Sequence, residues 1–167
     1  MSKAFTKEDD AQVEQLADLP QSEHPNYVTR DGLLELNARL QVRRADLAEL
    51  KAAKDDMNRP YPMAVVERDI RFLEARVGCA ILVELETQDP EVVAFGAEVD
   101  VLDEGGAPST YRIVGEDQAD PKRGLIAPFS PLAVALRDAR VGDAVEWRRP
   151  SGTLALEVTA IRYPKAS

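Results

Sequence analysis

The chain has 167 residues and a formal net charge of −9. This length fits a helical module plus one compact domain, and it excludes a large enzyme with separate cofactor and substrate domains. The acidic excess argues against nucleic-acid binding through a basic surface, because phosphate neutralisation needs clustered Lys and Arg, so we expect protein partners.

Cysteine content and hydropathy indicate where the protein works. A single cysteine, Cys79, excludes an intramolecular disulfide and a cysteine-based zinc site. The sequence shows neither a signal peptide nor an apolar run of about 18 residues. We therefore expect a cytoplasmic protein that does not bind membranes.

The first 26 residues are predicted to form an acidic, mobile tail. They carry two basic and six acidic side chains, and their apolar residues show no sustained period. Segments of this composition bury too little apolar surface to fold alone.

A first coiled-coil helix is predicted to begin at Thr29. Thr29 is a suitable N-cap, and Asp31 in the first turn interacts favourably with the helix dipole. Apolar residues then recur at heptad positions a and d, with Arg43 at one d position. The apolar residues of this seam are Leu33, Leu36, Leu40, Leu47 and Leu50.

Residues 55–62 are predicted to form a turn, because Pro60 and Pro62 disfavour a continuing helix. A second heptad series follows directly. Its seam consists of Met63, Val66, Ile70, Leu73, Val77 and Ala80. Two amphipathic helices with a short connection must run antiparallel, so residues 27–84 are predicted to be a coiled-coil hairpin with its tip near 55–62.

The remaining residues, 85–167, are predicted to form a small antiparallel sheet with one helix. Their apolar pattern changes from helical period to alternation, and turn signals recur at short intervals. Ser130 is a suitable N-cap and Pro131 suits a first helical position. The predicted strands are 97–102, 110–115, 125–127, 144–148 and 153–163. The fold class is therefore α+β, with two domains and an acidic tail.

Several segments resemble the signatures of one known family, the Gre family of bacterial transcription elongation factors. Four lie, in the family's order, in the C-terminal unit: TYRIVGEDQAD at 110–120, LIAPFSPLAVAL at 125–136, VGD at 141–143 and PSG at 150–152. Three lie upstream: MSKAFT at 1–6, similar to GreB-type members, YVTRDGL at 27–33 and RDIRFL at 68–73. The resemblance covers nearly the whole chain after residue 26.

This resemblance implies an FKBP-like domain at 85–167 that docks on the rim of the secondary channel of RNA polymerase. The hairpin would then enter the channel and stimulate transcript cleavage in backtracked complexes. The polymerase-binding residues that it implies are Asp120, Lys122, Arg123, Ser130 and Pro131. Capping and turn geometry would explain Ser130 and Pro131 without any partner. The protein would be a monomer that contacts nascent RNA only indirectly and acts through the polymerase active site rather than as an enzyme.

The tip departs from the family pattern. Cleavage-active members carry Gly-Asp-x-x-Glu-Asn-x-x-Tyr, whereas residues 54–62 here read KDDMNRPYP. Asp55 and Asp56 are the candidate catalytic and metal-binding residues, since one or two carboxylates can complete a Mg²⁺ shell. The ion would be shared with the polymerase, and the protein would have no cofactor of its own. Alternatively the two acids are solvated surface charges, and the protein occupies the channel and modulates or inhibits the polymerase without cleavage.

Overall fold

The computed structural model describes residues 16–53 and 60–165. Two helices, α1 (Arg30–Ala52) and α2 (Pro60–Gly78), form the predicted hairpin. Thr29 caps α1 as predicted, because its Oγ1 accepts a hydrogen bond from the Gly32 amide at 3.0 Å. At 1.5 Å per residue, α1 is about 34 Å long. None of the helices within the described ranges is long and apolar enough to cross a membrane.

The hairpin is held together by its apolar seam. Leu36, Leu40 and Leu73 are buried and form one cluster with Val28. Val66 of α2 is also buried, and the remaining seam residues of both arms are half-buried. The predicted basic interruption, Arg43, is exposed and pairs with acidic side chains of the two arms. The heptad prediction is confirmed for the helical seam residues.

Two details of the predicted hairpin are wrong. Pro60 and Pro62 were expected in the turn but lie in the first turn of α2, where a missing amide hydrogen costs nothing because those amides have no helical partner. Ala80 was expected on the helical seam but begins a strand, since α2 ends at Gly78.

A two-stranded parallel ladder closes the base of the hairpin. It pairs β1 (Asn26–Val28) with β2 (Ala80–Leu82), and the Val83 amide extends it by donating to the Val28 carbonyl at 3.0 Å. Three-residue strands are too short to show an alternating pattern, so the sequence analysis did not predict them. The ladder ties the start of α1 to the end of α2.

The C-terminal unit is a five-stranded sheet in the order β5-β4-β3-β7-β6. The strands are β3 (Glu98–Asp103), β4 (Pro108–Ile113), β5 (Leu125–Ile126), β6 (Ala144–Arg149) and β7 (Gly152–Arg162). Neighbours run antiparallel except β4 and β5, which are parallel. All five strands lie within two residues of the predicted positions, which confirms the α+β class.

One short helix, α3 (Pro131–Leu136), packs on this sheet and completes its core. Inward-facing valines alternate with outward-facing residues along β3, as expected for a sheet with one covered face. The largest fully buried side chains of this core are Val93, Val99, Val101, Leu136 and Val158.

Residues 16–25 form no helix or strand, but they contact both units. Arg71 of α2 donates to Asp18 at 2.6 Å, and the His24 ring stacks on Phe129 with centroids 4.3 Å apart. This part of the predicted mobile tail therefore lies against the folded protein. The ion pair is exposed and contributes little stability by itself.

The outer face of the sheet carries a charge cluster that predicts a pH effect. Hydrogen bonds from Arg162 first, and then from Thr110, lower the pKa of Asp100 from its ordinary 3.8 to about 2. Stability from a lowered carboxyl pKa is present above the unfolded value and is lost as pH falls through the folded one. Its size here is below about 1 kcal/mol, because solvent screens this exposed pair.

Asp100→Asn is therefore expected to lower the free energy of unfolding slightly at pH 7. The difference from wild type should shrink below about pH 4, because the carboxyl is then protonated in the unfolded chain, and should disappear as pH falls through about 2, where it is protonated in the folded protein. Urea unfolding followed by circular dichroism, between pH 7 and pH 3, measures the free energy of unfolding of wild type and of the variant. A difference that stays constant over this range would contradict the assignment.

Candidate functional site

A tight turn presents three of the predicted polymerase-binding residues. Asp120 caps a 3₁₀ turn, Pro121–Arg123, by accepting a hydrogen bond from the Lys122 amide at 3.2 Å. Gly124 follows with φ of 74°, and a Cβ there would lie 2.6 Å from a backbone oxygen of β4. The turn is therefore held against the sheet, and the side chains of Lys122 and Arg123 lie exposed beside its β5 edge.

The other two predicted residues begin α3, on the far side of β5 along the chain. The Ser130 hydroxyl donates to the Ala127 carbonyl at 2.8 Å and accepts from the Ala133 amide at 3.3 Å. Local contacts thus use the donor and one acceptor position of this hydroxyl, so helix capping accounts for Ser130 without a partner. Pro131 is exposed at the first helical position, so its ring is available to a partner.

An aromatic-lined cavity of about 280 Å³ lies between the hairpin base and α3. The Tyr27 ring faces Phe95 and Phe129 at centroid distances of 5.9 and 6.2 Å, and the Arg137 guanidinium lies over the Phe129 ring. The cavity can admit an apolar side chain or a small ring. No local sequence pattern predicts this cavity, because its aromatic residues come from three distant segments.

The first turn of α1 is fixed to the sheet domain by a 3₁₀ turn, Glu116–Gln118. The Thr29 hydroxyl donates to Gln118 Oε1 at 3.0 Å, and Gly32 leaves the space that the Gln118 side chain fills. This turn belongs to the signature segment 110–120, in which only Asp120 was expected to have a role, in polymerase binding. Part of that segment also holds the hairpin.

The candidate tip residues, Asp55 and Asp56, lie outside the described residues, in the connection between the two arms. On the adjoining part of the hairpin, charged side chains pair across the arms: Arg43 reaches Asp69 at 3.6 Å, and Arg44 reaches Glu74 at 2.8 Å. Within 16–53 and 60–165, no group of three or more His, Cys, Asp or Glu side chains is arranged to hold a metal ion.

Known proteins resemble both units. A family model described as "Transcription elongation factor, GreA/GreB, C-term" matches residues 87–163. Transcription elongation factor GreA of Rhodospirillum rubrum is 34% identical over 151 residues, covering 81% of this chain and 96% of that protein. Its namesake in Verminephrobacter eiseniae is 36% identical over 152 residues, covering 90% of each. A solved structure, the prokaryotic transcription elongation factor GreA/GreB from Nitrosomonas europaea, covers 82% of this chain and 98% of its own, with 22% identity and a TM-score of 0.41. The two relatives extend the likeness beyond the sheet to the hairpin.

Proposed function

This chain belongs to the GreA/GreB family of transcription elongation factors, and we propose that it binds bacterial RNA polymerase at the secondary channel and stimulates transcript cleavage in backtracked complexes. The observation that carries the proposal is similarity to GreA proteins over 90% or more of their length, so that hairpin and sheet domain are both included.

The shape of the molecule supports this function. The hairpin is two helices wide and projects from the sheet domain on arms of 23 and 19 residues. An apolar seam along both arms keeps it stiff. The sheet domain would dock on the channel rim through the turn at Asp120–Arg123 and the start of α3, and the hairpin would reach toward the active site.

The chemistry would belong to the polymerase. The factor would have no cofactor of its own, and Asp55 and Asp56 would help to hold a Mg²⁺ ion of the polymerase at the end of the hairpin. A carboxylate pair suits this role because Mg²⁺ takes one or two protein carboxylates and fills its other positions with water and phosphate oxygens. Contact with nascent RNA would be indirect.

A cleavage assay on a backtracked elongation complex tests the proposal, run beside a binding measurement with the same polymerase. We expect binding and release of a short 3′ RNA fragment. Binding without fragment release, together with competition against a cleavage-active GreA, would replace cleavage by channel occupancy. A protein that does not bind polymerase would contradict both functions.

The docking turn makes a separate prediction. Arg123→Glu is expected to weaken polymerase binding about tenfold, because a charge reversal at an interface costs roughly 1.4 kcal/mol or more. Arg148→Glu is the matched control: it makes the same charge change at an exposed site on β6, the opposite edge of the sheet. Equal affinities of the two variants in a direct binding titration would remove this turn from the interface.

A further inference from the structure

The base of the hairpin holds an unusual concentration of buried polar groups. Among the residues that the structure describes, three polar or charged residues are buried: Asn26, Thr29 and Arg76. All three lie at the junction with the sheet domain, and Arg76 is only 3% exposed. A buried guanidinium is costly unless it is paired with carboxylates and hydrogen-bond acceptors, so its partners indicate what it does.

Arg76 of α2 joins three parts of the molecule. Its Nε donates to Asp117 of the sheet domain at 2.7 Å, and its Nη2 donates to Asn26 of β1 at 2.6 Å and to Glu116 at 3.4 Å. The Asn26 side-chain amide donates back to the Arg76 carbonyl at 2.8 Å. These contacts link α2 both to β1, which precedes α1 at the base of the hairpin, and to the sheet domain.

Such a junction fixes direction as well as distance. The planar guanidinium donates at fixed angles, so its hydrogen bonds to Asp117 and Asn26 restrict rotation as well as separation. The neighbouring backbone is equally close: a Cβ on Gly115 would lie 2.8 Å from the Tyr27 carbonyl oxygen. These contacts therefore define one position and orientation of the hairpin base on the sheet domain.

The orientation of the base matters because the hairpin is long, so a small rotation at the base moves its far end a large distance. With an arm of about 34 Å, a rotation of about 10° at the base displaces the far end by about 6 Å. A displacement of about 1 Å can cost a catalytic group about 100-fold in rate. We propose that Arg76 is a positioning residue that sets the angle of the hairpin on the sheet domain, and thereby the place of the tip in the docked complex. The effect on the place of the tip in the docked complex rests on the proposed function.

The angle can be measured in the free, full-length protein by electron–electron double resonance. Cys79→Ser removes the native thiol, and Lys51→Cys and Val141→Cys, both at exposed positions, carry the two spin labels. We expect a narrow distance distribution in this background. Arg76→Met should broaden the distance distribution or shift its mean by several ångströms. Arg76→Lys keeps the charge but loses the planar set of N–H donors, and it should have an intermediate effect.

Arg44→Met is the matched control. Arg44 also forms an ion pair of α1 with α2, to Glu74, but that pair is exposed and lies within the hairpin. It should leave the distribution unchanged. If Arg76→Met does not fold, Arg76→Met/Asp117→Leu takes its place, because removing the buried guanidinium together with its nearest carboxylate avoids leaving that carboxylate unpaired. An unchanged distribution in the folded variant overturns the proposal.

The consequence is tested with polymerase. At saturating factor, the Arg76 variants should cleave at least tenfold more slowly, while their affinity stays within about threefold of wild type. A role in stability alone would instead lower affinity and cleavage together, which would contradict positioning. If wild type itself neither binds nor cleaves, the proposed function fails, and the distance measurement still decides whether Arg76 sets the angle.

Discussion

Replacing Asp55 and Asp56 together with alanine is expected to lower the rate of transcript cleavage by about 100-fold or more and to leave polymerase affinity within about threefold. A carboxylate that organises charge in the transition state typically contributes on the order of 3 kcal/mol to the barrier. Affinity should persist because it comes mainly from the sheet domain and the flanks of the hairpin. Single-turnover cleavage at saturating factor, beside a binding titration, separates the two effects.

Glu49→Ala is the control for this pair, since Glu49 is an exposed carboxylate of α1 before the connection. It should cleave at the wild-type rate. Two results would contradict the assignment: cleavage that survives the double substitution, which would make the two acids surface charges, or a loss of cleavage that follows a loss of binding.

Leu40→Asp is expected to destabilise the hairpin by at least about 3 kcal/mol. Leu40 is 5% exposed and packs with Val28, Leu36 and Leu73. The substitution loses about 2 kcal/mol of apolar burial and also places a carboxylate where water cannot solvate it. Ile70→Asp should cost less, because Ile70 is only half-buried.

Leu34→Asp provides the matched control, because Leu34 lies on the same helix but is 63% exposed. It should change the free energy of unfolding by no more than about 0.5 kcal/mol. Urea unfolding followed by the helical circular dichroism signal measures all three variants. Similar midpoints for Leu40→Asp and Leu34→Asp would contradict the two-helix seam.

Features that depend on nearby residues were predictable from the sequence. Thr29 and Ser130 were predicted as N-caps, and both accept the expected amide hydrogen bond. The heptads gave the correct buried face of each arm, and alternation gave the strands to within two residues. The caps can be predicted because the capping side chain and the amide that it binds lie three residues apart. The helices and strands can be predicted because the spacing of their apolar side chains shows which face is buried.

The proline segment shows where local reasoning fails. Pro60 and Pro62 were interpreted as turn residues, yet the same chemistry is acceptable in the first turn of a helix. Pro60, Tyr61 and Pro62 are all exposed in α2, so burial of their side chains does not decide between the two. The backbone preferences of proline are thus compatible with either a turn or the first turn of a helix.

The sequence by itself determined the family resemblance, the hairpin and the class of the second domain. Tertiary structure alone decided how these parts are joined: Arg76 meets Asp117 across 41 residues, and Tyr27 meets Phe95 and Phe129 in one cavity. No periodic pattern marks these residues, because contacts between distant segments depend on how whole elements pack. The angle of the hairpin, on which the position of its tip depends, is a property of that packing.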